Sequence, residues 1–120
     1  MNANQGELTP DLIRGMTDTI VLGLLLEEDR YGYEIYKEIL RRSDNTFELK
    51  EATLYASIRR LEQEGCLSSH WGEGSRGGRR RYYSVTVRGL DRYRRSLRNW
   101  TFAKQMLDRL LARTEKEAAL

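Results

Sequence analysis

Residues 66–85 read Cys66-Leu67-Ser68-Ser69-His70-Trp71-Gly72-Glu73-Gly74-Ser75-Arg76-Gly77-Gly78-Arg79-Arg80-Arg81-Tyr82-Tyr83-Ser84-Val85. Cys66 to Trp71 has the character of a short strand, and Arg79 to Val85 that of a second. The stretch 72–78 between them holds four glycines in seven residues, the composition of a flexible loop. The pair predicts a β-hairpin with an arginine-loaded tip. The elements on either side decide which fold the hairpin belongs to.

Three helical patterns precede it. Thr9-Pro10 reads as an N-cap followed by proline at the first helical position, with Asp11 favourable in the first turn. Leu12, Met16, Ile20 and Leu24 then recur at helical spacing, with Ile13, Val21 and Leu25 widening the stripe. This predicts a helix over about residues 10–27, and Glu28-Asp29-Arg30 reads as a polar break. Gly32 opens a second helix carrying Tyr33, Ile35, Tyr36, Ile39 and Leu40, which stops at Arg41-Arg42-Ser43-Asp44-Asn45. A third, over about residues 50–64, is marked by Ala52, Tyr55, Ile58 and Leu61, with Leu54 beside them and Gly65 as its stop. Lys50 stands where Ser, Thr, Asn or Asp is preferred as a cap. Three helices followed by a hairpin is the order of a winged helix-turn-helix, a mainly α fold with a small β-hairpin. In that fold the third helix enters the major groove and the basic wing reaches the neighbouring backbone or minor groove.

Beyond the hairpin, Thr86 caps a long helix expected over about residues 87–113. Leu90, Tyr93, Leu97, Trp100, Lys104, Leu107 and Leu111 alternate spacings of three and four, a heptad-like seam. About 27 residues at 1.5 Å give a helix of roughly 40 Å, longer than the winged core is wide. Leu107, Leu110 and Leu111 would then be left wet, so a two-fold homodimer is expected through this helix. The expected organisation is a flexible segment at 1–8, a winged helix-turn-helix at 9–86 and a dimerisation helix at 87–120.

Length and composition agree with this and exclude much else. The 120 residues make one domain, with 32% charged and 39% apolar residues. The longest apolar run, Ile20 to Leu26, falls far short of the roughly 18 residues that span a bilayer, and no signal peptide is read at the N-terminus. A single cysteine excludes an intrachain disulfide framework and fits a reducing cytoplasm. The net charge of +3 conceals a dipole. Residues 1–49 hold five Lys/Arg against ten Asp/Glu, whereas residues 70–98 hold nine Arg against Glu73 and Asp91. Arginine suits bidentate phosphate and guanine-edge contacts.

Thr53, Tyr55, Ala56 and Arg59 are the third-helix positions that can face a groove, with Leu54, Ile58 and Leu61 as core. Tyr55 reads either as a phosphate contact or as a residue packed between the second and third helices. Arg76, Arg79 and Arg80 are the expected wing contacts, and Arg81 is able to turn inward to an acid. Trp100, near the middle of the seam, is either interface packing or one of two indoles forming a slot for a flat molecule across a two-fold axis. Ser96, Leu97, Thr19 and Leu22 are expected to line that slot. Lys104 lies one turn beyond, and its charge disfavours cationic ligands unless an acid such as Asp18 offsets it. Cys66 reads as a small buried apolar residue. The lone His70 has no second ligand at metal spacing, no nucleophile–base set can be assembled, and no glycine motif for nucleotide phosphates is present. No cofactor, metal or enzymatic activity is expected.

Glu51-Ala52-Thr53-Leu54-Tyr55, Arg60-Leu61-Glu62, Gly65, Gly77-Gly78-Arg79-Arg80-Arg81-Tyr82-Tyr83, Thr86 and Gly89, with the leader Tyr31-Gly32-Tyr33-Glu34-Ile35, resemble the PadR family of bacterial transcriptional regulators. The resemblance covers about residues 8–100. The single C-terminal helix resembles the short subfamily, and Ser69-His70-Trp71-Gly72 and Trp100 resemble a multidrug-sensing repressor within it. This implies a homodimeric repressor that binds a palindromic operator, dimerises through its C-terminal helix and is released by a flat aromatic effector stacked on a tryptophan at the position of Trp100. A winged-helix dimer acting as a protein-interaction or architectural module without an effector is the alternative.

Overall fold

The computed structural model describes residues 6–73 and 78–118, with side chains described as far as residue 112. The helices are α1 (Pro10–Ile13), α2 (Thr17–Glu27), α3 (Gly32–Arg42), α4 (Glu51–Gln63) and α5 (Val87–Ala118). The strands are β1 (Arg30–Tyr31), β2 (Leu67–Glu73) and β3 (Arg79–Val85), in the antiparallel order β1–β3–β2.

Thr9 caps α1 as expected, its hydroxyl accepting from the Leu12 N–H. The expected single helix over 10–27 is nevertheless interrupted. Arg14–Met16 form a 3-10 turn around Gly15, so the stripe is divided between α1 and α2. Glycine mid-helix costs about 1 kcal/mol relative to alanine, which makes this the natural place for a change of winding. The polar break at 28–30 also holds more structure than expected. Arg30 and Tyr31 pair with Tyr83 and Tyr82, making the hairpin a three-stranded sheet.

The core joins Val21, Leu22, Leu24 and Leu25 of α2 to Ile35 and Ile39 of α3 and to Leu54, Ile58 and Leu61 of α4. Phe47, Leu49, Cys66, Leu67 and Tyr83 close it. Gly65, at φ +76°, ends α4. The Cys66 N–H donates to the Leu61 carbonyl at 2.8 Å and the Gly65 N–H to that of Glu62 at 3.0 Å, the paired bonds of a Schellman stop. Thr86 fastens α5 to this corner. Its hydroxyl accepts from the Gly89 N–H and donates to the Gly65 carbonyl, and its own N–H donates to the Cys66 carbonyl.

The helix α5 has 32 residues, about 48 Å at the standard rise. The radius of gyration is 17.2 Å, against about 14 Å for a compact chain of this length. The excess is the distal half of α5, where Leu107, Leu110 and Leu111 are 49, 69 and 59% exposed. Tyr93 and Leu90, on the proximal part of the expected seam, also make contacts within their own chain. Tyr93 packs within its own chain, its ring so close over α2 that a Cβ at Gly23 would lie 3.0 Å from it. Leu90 is half-buried near the root of the helix.

Candidate nucleic-acid interface

One side of α4 is fixed by the core. Leu54, Ser57, Ile58 and Leu61 are buried, and at 100° per residue the direction opposite them belongs to Ala52, Ala56, Arg59 and Gln63. Ala52, Arg59 and Gln63 are exposed and Ala56 is partly so. Ala52 therefore faces outward and not into the stripe with Ile58 and Leu61. It and Gln63 are positions that the sequence reading did not place on the outer face, because alanine carries no polarity signal and Gln63 falls in the last turn. Thr53 and Tyr55 occupy the two shoulders. Thr53 and Ala56 border a recess of about 610 Å³ whose far wall is Ile13 and Arg14. Tyr55, 37% exposed, lies over the first residue of α3, where a Cβ on Gly32 would meet its hydroxyl at 2.2 Å. Its ring is thus packed between α3 and α4 with one edge in solvent. Lys50 is the N-cap and supplies no side-chain bond, leaving the first-turn N–H groups without that acceptor.

The arginine-rich segment divides into two groups. Arg81 turns to Glu62 on α4 at 3.1 Å. Arg92 bridges Asp18 at 2.9 Å and also binds Glu64. Their charge is paired with acids of the same chain, so the unpaired basic surface is smaller than the sequence count suggests. Arg79 and Arg80 are in no ion pair among the described residues. Their guanidiniums lie over aromatic rings instead, Arg79 5.2 Å from the centroid of Trp71 and Arg80 5.6 Å from that of Tyr31. Arg76 lies outside the described residues.

Asp18, an acid that could offset Lys104, is engaged elsewhere. It is instead the hub between α2, α4 and α5, accepting from Ser57 at 2.5 Å and from Arg60 at 2.6 Å as well as from Arg92. Burial pushes its carboxyl up, but the bonds from Arg60 and Ser57 and the charges of Arg60 and Arg92 outweigh this and hold it below the usual carboxylate range.

A second recess, of about 430 Å³, opens between α2 and α5. Thr19, Ile20, Tyr93, Leu97 and Trp100 line it, and the Glu27–Arg42 ion pair stands at its edge. Of the residues expected to line a slot at Trp100 across a two-fold axis, Thr19, Leu97 and Trp100 meet at this recess of the single chain. Leu22 is fully buried in the core and cannot line it. Ser96 and Lys104 lie outside its walls. Leu97 and Trp100 are 40 and 44% exposed. Among the described residues, no cluster of three His, Cys, Asp or Glu side chains is placed to hold a metal ion, and no helix is long and apolar enough to cross a membrane.

A helix pair with an outward face, flanked by a sheet that extends two free guanidiniums, defines a winged helix-turn-helix of the DNA-binding kind. Residues 21–95 match the Transcriptional regulator PadR-like family, and the chain belongs to that family. An uncharacterised protein of Lysinibacillus sphaericus is 45% identical over 98 residues, 82% of this chain and 90% of its own length. Among solved structures, a transcriptional regulator from Clostridium thermocellum is 40% identical with a TM-score of 0.78, covering 85% of this chain and 96% of that one. A PadR family transcription regulator from Clostridium difficile R20291 is 33% identical with a TM-score of 0.70, covering 80% of this chain and 98% of that one. The family and these structural relatives are transcriptional regulators, not enzymes.

Proposed function

We propose that this DNA-binding regulator is a repressor that acts as a homodimer on a palindromic operator. The observation that carries the proposal is the pairing of an outward α4 face with a wing whose Arg79 and Arg80 lie over aromatic rings and have no acidic partner among the described residues. Ala56 and Arg59 read base edges from the centre of that face, Thr53 and Tyr55 hold its shoulders, and Arg79, Arg80 and Arg76 meet phosphate or the minor groove. Exposed Leu107, Leu110 and Leu111 support dimerisation, since a second copy of α5 would cover them. Two-fold symmetry then places two α4 helices on successive turns of one face of the duplex.

The effector is a flat aromatic molecule seated on Trp100. The α2–α5 recess supports this, because Trp100 and Leu97 line it while remaining partly exposed. Such a ligand acts by binding the DNA-competent and incompetent states with different affinity. Selection of duplexes from a random library by the purified chain tests the core of the proposal. The expected product is a palindrome with half-sites about one helical turn apart. Enrichment of no duplex would favour a protein-interaction module.

A further inference from the structure

Successive residues of a strand point to opposite faces of its sheet. Along β3, Arg79, Arg81 and Tyr83 therefore share one face, and Arg80 and Tyr82 share the other. The contacts agree. Arg81 reaches Glu62 on α4 and Tyr83 is buried in the core, so the first face is the one turned to α4. The second face carries Tyr82, which stacks with His70 and meets Tyr31 edge to face, and Arg80 lies over that Tyr31 ring. The two free wing guanidiniums are therefore not equivalent. Arg79 lies on the side of the reading helix, and Arg80 on the side of β1.

Trp71 belongs to the face of Arg79. It stands opposite Arg81 in the β2–β3 register, one diagonal step from Arg79. Its indole is 61% exposed and does nothing for the core. Arg79 stands directly opposite Glu73, yet its guanidinium lies over Trp71, 5.2 Å from the centroid. A planar guanidinium stacked on a ring uses one flat face for the ring and keeps its N–H groups in the plane, directed outward. A guanidinium held over the indole in this way retains N–H groups for a phosphate, so the two contacts are compatible.

We infer that Trp71 is a positioning residue for DNA binding, holding the Arg79 guanidinium with its N–H edge presented to a backbone phosphate on the α4 side of the wing, while Arg80 contributes less. The inference rests on the DNA-binding reading above. Trp71 carries no charge, so its removal disorders a phosphate contact without deleting a cation. Affinity and salt dependence are thereby separable.

The test uses the full chain and the duplex that the wild-type chain enriches from a random library. Trp71→Ala is expected to weaken binding about two- to five-fold per copy, the range of an exposed cation–π contact, with the slope of log K against log salt unchanged. Arg79→Ala is expected to weaken binding and to lower that slope by about one per copy, whereas Arg80→Ala has the smaller effect on affinity. Trp71→Phe keeps an aromatic face and restores most of the loss. In the double variant, Trp71→Ala adds little to Arg79→Ala. Wild-type affinity in Trp71→Ala, full additivity in the double variant, or failure of Trp71→Phe to recover binding would each overturn the role of Trp71 while leaving the DNA-binding reading intact. If the wild-type chain enriched no duplex, that reading would fall and this inference with it.

Discussion

The Asp18 carboxylate and the Arg92 guanidinium lie 2.9 Å apart, and this contact ties α2 to the root of α5. The same carboxylate holds Ser57 and Arg60 of α4, so one acid joins α2, α4 and α5. Its side chain is only 15% exposed. Asp18→Ala would leave the enclosed Ser57 hydroxyl and the partly buried Arg92 without this acceptor. The expected loss is about 1–3 kcal/mol, read from urea unfolding.

The acid limb of stability follows from the same group. Its folded carboxyl lies below the ordinary value of 3.8. The stabilisation is present above that ordinary value and is lost as pH falls through the lower folded one. Unfolding free energy measured from pH 6 down to pH 2 should fall less steeply in Asp18→Asn than in the wild-type chain. An identical slope in both would remove Asp18 from the account.

Two glycines predict unequal costs for one substitution. At Gly89 an added Cβ would meet the Cys66 carbonyl oxygen at 2.2 Å and Val85 Cγ1 at 2.7 Å. The obstacle is backbone at the corner joining β2 to α5, so Gly89→Ala should cost about 1–3 kcal/mol or more. At Gly32 the obstacle is the far end of Tyr55, which has solvent to swing into. Gly32→Ala should therefore cost less stability, and Tyr55→Ala should relieve what cost there is. Melting temperatures of the two single variants and the Gly32→Ala, Tyr55→Ala pair decide this.

The distal half of α5 predicts the assembly state. Lysine at both Leu107 and Leu111 would place charge on the apolar seam that a second copy is proposed to cover. Sedimentation should show the wild-type chain at twice the protomer mass and the double variant at protomer mass, with the helical signal reduced as unsupported turns fray. A wild-type monomer would refute the expectation.

Trp100 predicts a spectroscopic response. The chain has two tryptophans, so Trp71→Phe leaves Trp100 as the sole indole emitter. Flat aromatic compounds should quench it in a saturable manner, with stacking contributing about 0.5–1.5 kcal/mol beyond area burial. Absence of quenching across a broad panel would remove the effector from the functional proposal.

The readable parts of this chain were those in which one residue type repeats a physical demand. Leu54, Ile58 and Leu61 announce the inner face of α4 through period alone, and Thr9, Thr86 and Gly65 announce helix ends through their own backbone chemistry. The strand β1 was not readable, because a two-residue strand has no period to detect and its pairing with Tyr82 and Tyr83 is non-local. Tyr93 fits the heptad as well as Leu97 does, and its close approach to α2, for which the missing side chain at Gly23 leaves room, is a non-local contact that spacing does not reveal. The division of labour among the arginines was hidden for a related reason. Charge counts cannot say that Glu62 waits for Arg81 or that Trp71 waits for Arg79.

The strand order β1–β3–β2 has a mechanical consequence. The strand β1 reaches only Tyr82 and Tyr83, so β3 is bonded on both sides there and on one side only from Arg79 to Arg81. The root of the wing is therefore stiff and its outer third compliant, a cantilever clamped at the tyrosine pair. Amide exchange should be slow at Tyr82 and Tyr83 and much faster at Arg79 and Arg80. Bending at Arg79 to Arg81 would thus stop at the clamp and not reach the core.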